Sequence, residues 1–387
     1  MSKKHFIIAG LMALALVGGV AVLKPAKSKA EPTARKIVIF DSSVVNEAAQ
    51  EKLIAKFGGV KIKSLPLVNG MAVVLPPQAN LGGEVGILRV DEDAEVMALG
   101  KPAPAPVPQT IPWGITSVGA DSAWPLTAGA GIKVAVVDTG IDLTHPDLKV
   151  YGGYNAISPM KSAADDNGHG THVAGIIAAL NNSIGVVGVG PEISLYSVKV
   201  LNRSGSGYVS DIIEGLDWAI QNGIQVVNMS LGTDSDVQSF HDAIIRARDA
   251  GIVLVAAAGN DGAAVDFPGA YPEVVAVAAT DVNNAVASWS SRGSEVDLAA
   301  PGVSIYSTYK GKTYKTLSGT SMATPHVAGA AALVLTTPVG AYDLDADGAW
   351  DPTEVQNKLE ATATDLGDSG KDALYGAGLL NAFAAIQ

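Results

Sequence analysis

Ile132-Lys133-Val134-Ala135-Val136-Val137-Asp138-Thr139-Gly140 is the stretch that decides the fold class. Its apolar residues run on instead of alternating, so the strand they predict must be buried on both faces. Comparable apolar runs follow at 195–200, 224–229, 252–258 and 274–278, with helix-like stretches at 169–180, 210–221 and 237–250. Strands of that kind interleaved with helices predict an α/β domain, a mostly parallel sheet covered by helices on both faces. In such sheets the working groups gather at the carboxyl ends of the strands. Asp138 sits at one of those ends. Taken alone, it reads as a turn or cap acid, because an acid after a buried strand is costly unless a partner needs it there.

Outward from this domain, the first thirty residues form a separate pattern. Lys3 and Lys4 precede an apolar run over 6–23, and Ser28-Lys29-Ala30 offers small residues where a signal peptidase reads. This predicts a secretory signal over 1–30, cut after Ala30, and an extracellular protein. Eighteen apolar residues could also just span a bilayer. The small-residue site and the Gly18-Gly19 pair favour removal, leaving no membrane association. Residues 31–99 read as a small α+β unit, with strands at 36–40, 60–65 and 71–75 and an amphipathic helix at 46–57. Its last segment, 87–99, alternates apolar residues with acids. A proline-dense stretch, 100–108, predicts a semi-rigid extended linker before a large domain over 109–387.

Composition narrows the function. The chain has 387 residues, 48% of them hydrophobic, and 43 glycines, which suits a buried sheet with many tight turns and excludes disorder. It has no cysteine, hence no disulfide and no lipid anchor. An exported domain of this kind needs stability from elsewhere, and bound metal is the usual source. The net charge is −12, yet from Gly100 onward 29 acids face 14 bases. Such a surface excludes nucleic acid and anionic membranes as partners and suits calcium. A candidate loop is present. Asp343, Asp345, Asp347, Asp351 and Glu354 stand at positions 1, 3, 5, 9 and 12 of a twelve-residue EF-type pattern over 343–354, with the Ala349 carbonyl at position 7 and Gly348 at the turn. It leads into a predicted helix over 352–359.

Three further blocks carry chemistry. Asn167-Gly168-His169-Gly170-Thr171-His172-Val173-Ala174-Gly175 opens a helix. Two histidines three apart could suggest a metal pair, but no HExxH pattern or third ligand accompanies them. His169, between two glycines, can approach a partner closely, and His172 reads as structural. Ser318-Gly319-Thr320-Ser321-Met322-Ala323-Thr324-Pro325-His326 opens another helix, with Ser321 near its N-terminus and Pro325 expected in its first turn. Backbone N–H groups there can stabilise anionic charge. Finally, Asn260 ends the apolar run 252–258 with an amide able to donate to an oxyanion.

In the order Asp…His…Ser, these blocks differ from the two other common triad orders. From about Lys36 to its end the chain resembles the subtilisin family of serine proteases. That resemblance implies a zymogen of a calcium-stabilised serine endopeptidase. Ser321 would be its nucleophile, His169 the general base, Asp138 the residue that orients it, and Asn260 part of the oxyanion hole. It implies a peptide groove built from Ser230, Leu231 and Gly232 on one side and Ala257 and Gly259 on the other. The unit 31–99 would be a propeptide, both folding assistant and inhibitor, cut between Leu99 and Gly100. Leu99 points to broad specificity with large apolar residues before the cut. Asp266, where the family has a small or neutral residue, would admit basic ones if it reaches the pocket floor. The resemblance also implies a strong calcium site from the side chains of Gln109, Asp147 and Asn182 with the carbonyls of Leu180, Ile184 and Val186. A weaker cation site would use Glu295 and Asp297 with the carbonyls of Gly269, Tyr271 and Val274. Polypeptide substrates and the propeptide are the expected partners, and a monomer is expected. Two alternatives share the fold: a catalytically retired calcium-dependent binding protein, and an esterase or peptide ligase.

Overall fold

The computed structural model describes residues 34–98, 101–104 and 108–387. The expected signal with Ala30, and the junction residues Leu99 and Gly100, lie outside the described residues. Among the described residues no helix is long and apolar enough to cross a membrane.

The stretch around Val134 becomes the strand Lys133–Asp138, near the middle of a seven-stranded sheet. The order across the sheet is Val296–Pro301, Val275–Thr280, Val253–Ala257, Val226–Met229, Lys133–Asp138, Ser194–Lys199 and Val150–Asn155, with every neighbour parallel. Alternate residues serve opposite faces: Val134 and Val136 join one core, Ala135 and Val137 the other. This explains why the run had to be apolar throughout. The helices His169–Ala178 and Thr320–Val334 pack on the first face. The helices Val209–Gln221 and Gln238–Asp249 pack on the second. All fifteen residues of Thr320–Val334 are buried, as befits a helix apolar all round.

The chain leaves Lys133–Asp138 toward one edge and later returns to add Val226–Met229 on its other side. That reversal opens a crevice at the carboxyl ends of the central strands. Asp138 is the last residue of one strand that ends there, and Ser230 and Asn260 come after the ends of two others.

The N-terminal segment forms a four-stranded antiparallel sheet, in the order Val60–Leu65, Gly70–Leu75, Ala34–Phe40 and Ile87–Glu92, with the helix Glu47–Lys56. Ile37, Ile39, Leu65 and Val68 share a core with the helices Val209–Gln221 and Gln238–Asp249. The segment 87–99, read as apolar residues alternating with acids, forms two strands, Ile87–Glu92 and Glu95–Ala98. Asp93 causes the break by turning inward: its Oδ1 accepts the Ser210 N–H at 3.0 Å and its Oδ2 the Ser210 hydroxyl at 2.9 Å.

The proline stretch departs from expectation. Lys101–Pro104 is not a free linker but an edge strand, antiparallel to Thr313–Ser318. Proline has no N–H to donate, and an edge strand is where a sheet tolerates that. Two strands of the seven-stranded sheet escaped the sequence pattern. Val150–Asn155 is a half-exposed edge with two glycines, and Val296–Pro301 carries Asp297 and a terminal proline. Neither shows a continuous apolar run.

Candidate active site

His169 reaches Asp138 because the backbone between them is pared down. A Cβ on Gly170 would lie 2.2 Å from the Gly140 carbonyl oxygen and 3.1 Å from Asp138, so only glycine allows the helix that near the strand end. The contact formed is short: His169 Nδ1 lies 2.8 and 2.9 Å from the two carboxylate oxygens of Asp138. Asp138 is wholly buried, and its Oδ1 also accepts the Thr139 N–H at 2.6 Å. A buried carboxylate is tolerable only with such partners.

Two supports of this pair went unread in the sequence. Asp165 holds the start of the histidine helix, accepting the N–H groups of Asn167, Gly168 and Thr171 and the hydroxyls of Thr139 and Thr171. Lys199, buried behind the strand end, donates to the carbonyls of Thr139 and Leu201 at 2.6 and 2.8 Å and to Asp166 at 2.7 Å. A lysine in an otherwise apolar run, and an acid just before a helix start, were the available signals.

His172 turns away from this cluster. Its Nε2 bonds the Ile305 and Lys315 carbonyls at 3.1 and 3.0 Å. Burial, aided by His169, pulls its pKa down to about 3, so it is a neutral strut.

Ser321 is the second residue of the helix Thr320–Val334. Pro325 therefore lies in the second turn, not the first, and removes the N–H that would bond the Ser321 carbonyl. A different group replaces it: the Ser230 hydroxyl donates to that carbonyl at 2.8 Å and is itself held by Asn228 Nδ2 at 2.9 Å. Ser321 Oγ in turn donates to the Ser230 carbonyl at 3.1 Å. The two serines are thus tied at both ends.

Gly319 at the N-cap has no side chain to cap the helix. Asn260 does so from another loop, its Oδ1 accepting the Thr320 N–H at 2.9 Å and the Thr320 hydroxyl at 3.1 Å. With the oxygen committed, the amide's Nδ2 is left as a donor beside the first-turn N–H of Ser321, which has no intrahelical acceptor. Asp138 is thus joined to His169, Ser321 to Ser230, and Asn260 to Thr320 beside Ser321, and the strands leading to Asp138, Ser230 and Asn260 are neighbours in the sheet. The expected groove residues meet beside them. Leu231–Gly232 pairs with Glu95–Ala98, setting Leu231 opposite Ala98 and Gly232 opposite Met97, and Ser206–Tyr208 flanks the other edge. Thr233 and Phe267 exchange backbone bonds at 2.9 Å, and Asp266 donates its N–H to the Ala258 carbonyl at 2.8 Å. Gly232 and Gly259 both come against Asp266, and Ser230, Leu231 and Ala257 stand next to these glycines in the chain.

The sequence model of the subtilase family (Peptidase_S8) matches residues 129–378. Subtilisin Savinase of Lederbergia lenta is 51% identical over 281 residues, covering 72% of this chain and 100% of its own. The chain belongs to the subtilase family. The alkaline protease of Alkalihalobacillus alcalophilus is 49% identical over 300 residues, 77% of this chain and 73% of that one. Subtilisin amylosacchariticus of Bacillus subtilis subsp. amylosacchariticus is 42% identical over 100% of both chains. This subtilase is a serine endopeptidase of the subtilisin type, with the α/β fold expected of it.

The subtilase's acidic loops were expected to hold cations, and their donor sets differ in fit. Asp343, Asp345 and Glu354 each bring an oxygen within 4.8 Å of the others. Asp347 and Asp351 lie outside that group: Asp347 accepts the Ala349 N–H at 2.7 Å, and Asp351 forms a capping box with Glu354. Around Asp147, Asn182 Nδ2 donates to its Oδ1 at 2.7 Å and the Val186 N–H to its Oδ2 at 2.9 Å. Gln109 Nε2 donates to the Leu180 carbonyl at 3.1 Å. Burial raises the Asp147 carboxyl above its usual range, which is what a buried acid does when no full positive charge faces it. At the weaker expected site a side-chain cation is already present. Lys371 Nζ lies 2.6 Å from Asp297 Oδ1, so an ammonium group stands where an ion was expected.

Proposed function

We propose that this subtilase is made as a secreted precursor in which residues 31–99 fold onto the enzyme, inhibit it, and are removed by its own cut between Leu99 and Gly100. One observation carries the reading. Glu95–Ala98 runs along Leu231–Gly232, and Lys101–Pro104 runs along Thr313–Ser318, so the chain's own segment flanks the Ser321 cluster on both sides. Main-chain pairing of this kind is how an extended peptide binds a sheet edge.

The contacts behind that strand support an inhibitor matched to its enzyme. Asp93 and Asp91 accept N–H groups from Ser210 and Ser239, in the first turns of two helices, where negative charge is favoured. Lys63 pairs with Asp211 at 2.5 Å and Glu214 at 2.8 Å, and Arg89 with Asp242 at 2.7 Å. Basic groups of the small unit thus meet the acid-rich surface of the large one.

In the proposed reaction the Ser321 hydroxyl leaves the Ser230 carbonyl, gives its proton to His169 Nε2, and attacks the peptide carbonyl. Asp138 keeps the Nδ1 proton in place, so that Nε2 carries the lone pair that accepts the serine proton. The new oxyanion takes hydrogen bonds from Asn260 Nδ2 and the Ser321 N–H. His169 then protonates the leaving amine, and water, deprotonated by the same imidazole, releases the acyl group. Large apolar residues are expected before the cut. The test is a serine-directed fluorophosphonate added to the mature enzyme. One label on the peptide bearing Ser321, with loss of casein hydrolysis, is the expected result. Hydrolysis that persists at full labelling, or a label elsewhere, overturns it.

Calcium is proposed at two places: the loop of Asp343, Asp345 and Glu354, with Asp347, Asp351 and the Ala349 carbonyl around it, and the cluster of Gln109, Asp147, Leu180, Asn182, Ile184 and Val186. Bound there, it supplies positive charge that ties a loop down and takes no part in the reaction. A ligand at a hundredfold excess over its Kd stabilises the folded state by about 2.7 kcal/mol. Chelation is therefore expected to lower Tm by roughly 5–10 °C. Asp345→Asn, at an exposed ligand, should remove part of that calcium-dependent gain. A Tm indifferent to calcium sinks both sites.

A further inference from the structure

We propose that Asp266 makes the pocket for the residue before the cut accept lysine and arginine as well as apolar side chains, with pH setting the balance. This rests on the groove assigned above and names its substrate class. The carboxylate lies between the two walls of that groove. A Cβ on Gly259 would come within 2.7 Å of Asp266 Oδ2, and one on Gly232 within 2.9 Å of Asp266 Cβ. Side chains at either position would collide with Asp266; glycine at both leaves room for its half-buried acid group between them.

Among the described residues, no hydrogen-bond donor and no cation reaches the Asp266 carboxylate. Its charged neighbours are Asp261, in the loop after Asn260, and Asp234, just beyond Gly232; both repel it. Arg292, which follows Ser291 beside Gly259, is committed to the Ser288 and Ser290 carbonyls. A half-buried acid without a partner is a counter-charge awaiting a cation. Burial, then Asp261 and Asp234, push its pKa up to about 6.

The sign follows. Below about pH 6 the carboxyl is neutral, and an apolar side chain enters without stranding a charge. Above it the carboxylate is ionised and offers a lysine or arginine a charge-assisted bond, while a leucine must now cover a charge. Such a bond corresponds to a preference of about 10- to 100-fold.

The experiment uses the mature enzyme and tetrapeptide anilides that differ only in Leu or Lys before the cut, from pH 5 to 9. The Lys-to-Leu ratio of kcat/KM is expected to rise about 10- to 100-fold with a midpoint near pH 6. Any pH dependence of the shared chemistry cancels in the ratio. In Asp266→Asn and Asp266→Ser the ratio should be low and flat. Fluorophosphonate titration counts active enzyme in each variant, so misfolding cannot imitate the effect. A flat wild-type ratio, or one unchanged by either substitution, overturns the proposal. Failure of the protease reading looks different: neither peptide is cut and no label is taken up.

Discussion

Ser321→Ala, expressed from Glu31 with calcium, is expected to give a folded chain that stays whole, while the wild type yields a mature chain beginning at Gly100. The substitution removes one hydroxyl whose bond in this structure is to the Ser230 carbonyl. The tie that matters for the fold, from the Ser230 hydroxyl to the backbone carbonyl at 321, survives it. Chemistry should fall by about 10⁶-fold in turnover, a magnitude measured on a subtilisin and so taken from a relative, not from this geometry. Intact mass and N-terminal sequencing read the outcome. If both chains stay whole though folded, the nucleophile and the self-cleavage proposal are in trouble together. If both are cut at the same bond, another protease is responsible.

Asp138→Asn should cost nearly as much for a subtler reason. The amide has the carboxylate's shape, and its oxygen would keep the Thr139 N–H, now bonded at 2.6 Å. That puts an NH₂ group in the place of Oδ2, which now lies 2.9 Å from His169 Nδ1. Two donors cannot face each other, so the ring must carry its proton on Nε2. The imidazole is then in the wrong tautomer to accept from Ser321. The same change in a trypsin lowers turnover about 10⁴-fold. Processing of the precursor, followed by intact mass at pH 8, is expected to slow by a comparable factor. Processing at the wild-type rate would remove Asp138 from the proposed triad.

Elements with a strong local pattern were legible before any coordinates. The strands Lys133–Asp138, Ser194–Lys199 and Val253–Ala257 each fall on an apolar run, and the helices His169–Ala178, Val209–Gln221 and Gln238–Asp249 lie within a residue or two of their predicted bounds. The candidate residues at strand ends and helix starts followed from the same reading. What escaped it had weak patterns. Val150–Asn155 has a half-exposed face and two glycines, so periodicity had little to register.

Other features depend on where the chain returns. Asn260 caps a helix that starts sixty residues later, and Lys371 reaches an aspartate 74 residues earlier. Lys101–Pro104 reads as a linker until a strand more than two hundred residues away offers it an edge. Asp266 is one acid in a loop until two glycine walls close on it.

The sequence by itself determined the α/β class, a sheet covered on both faces, and the residues that could do chemistry. These follow from local burial period and from spacing along the chain, while the family followed from the resemblance of whole motifs. Only the tertiary structure decided which group satisfies which. It chose Ser230 for the carbonyl that Pro325 leaves unbonded, Lys371 for Asp297, and, among the described residues, no partner for Asp266. Those choices are made by desolvation. A buried polar group must find a donor or acceptor within about 3 Å, and only the folded chain says which one is within reach.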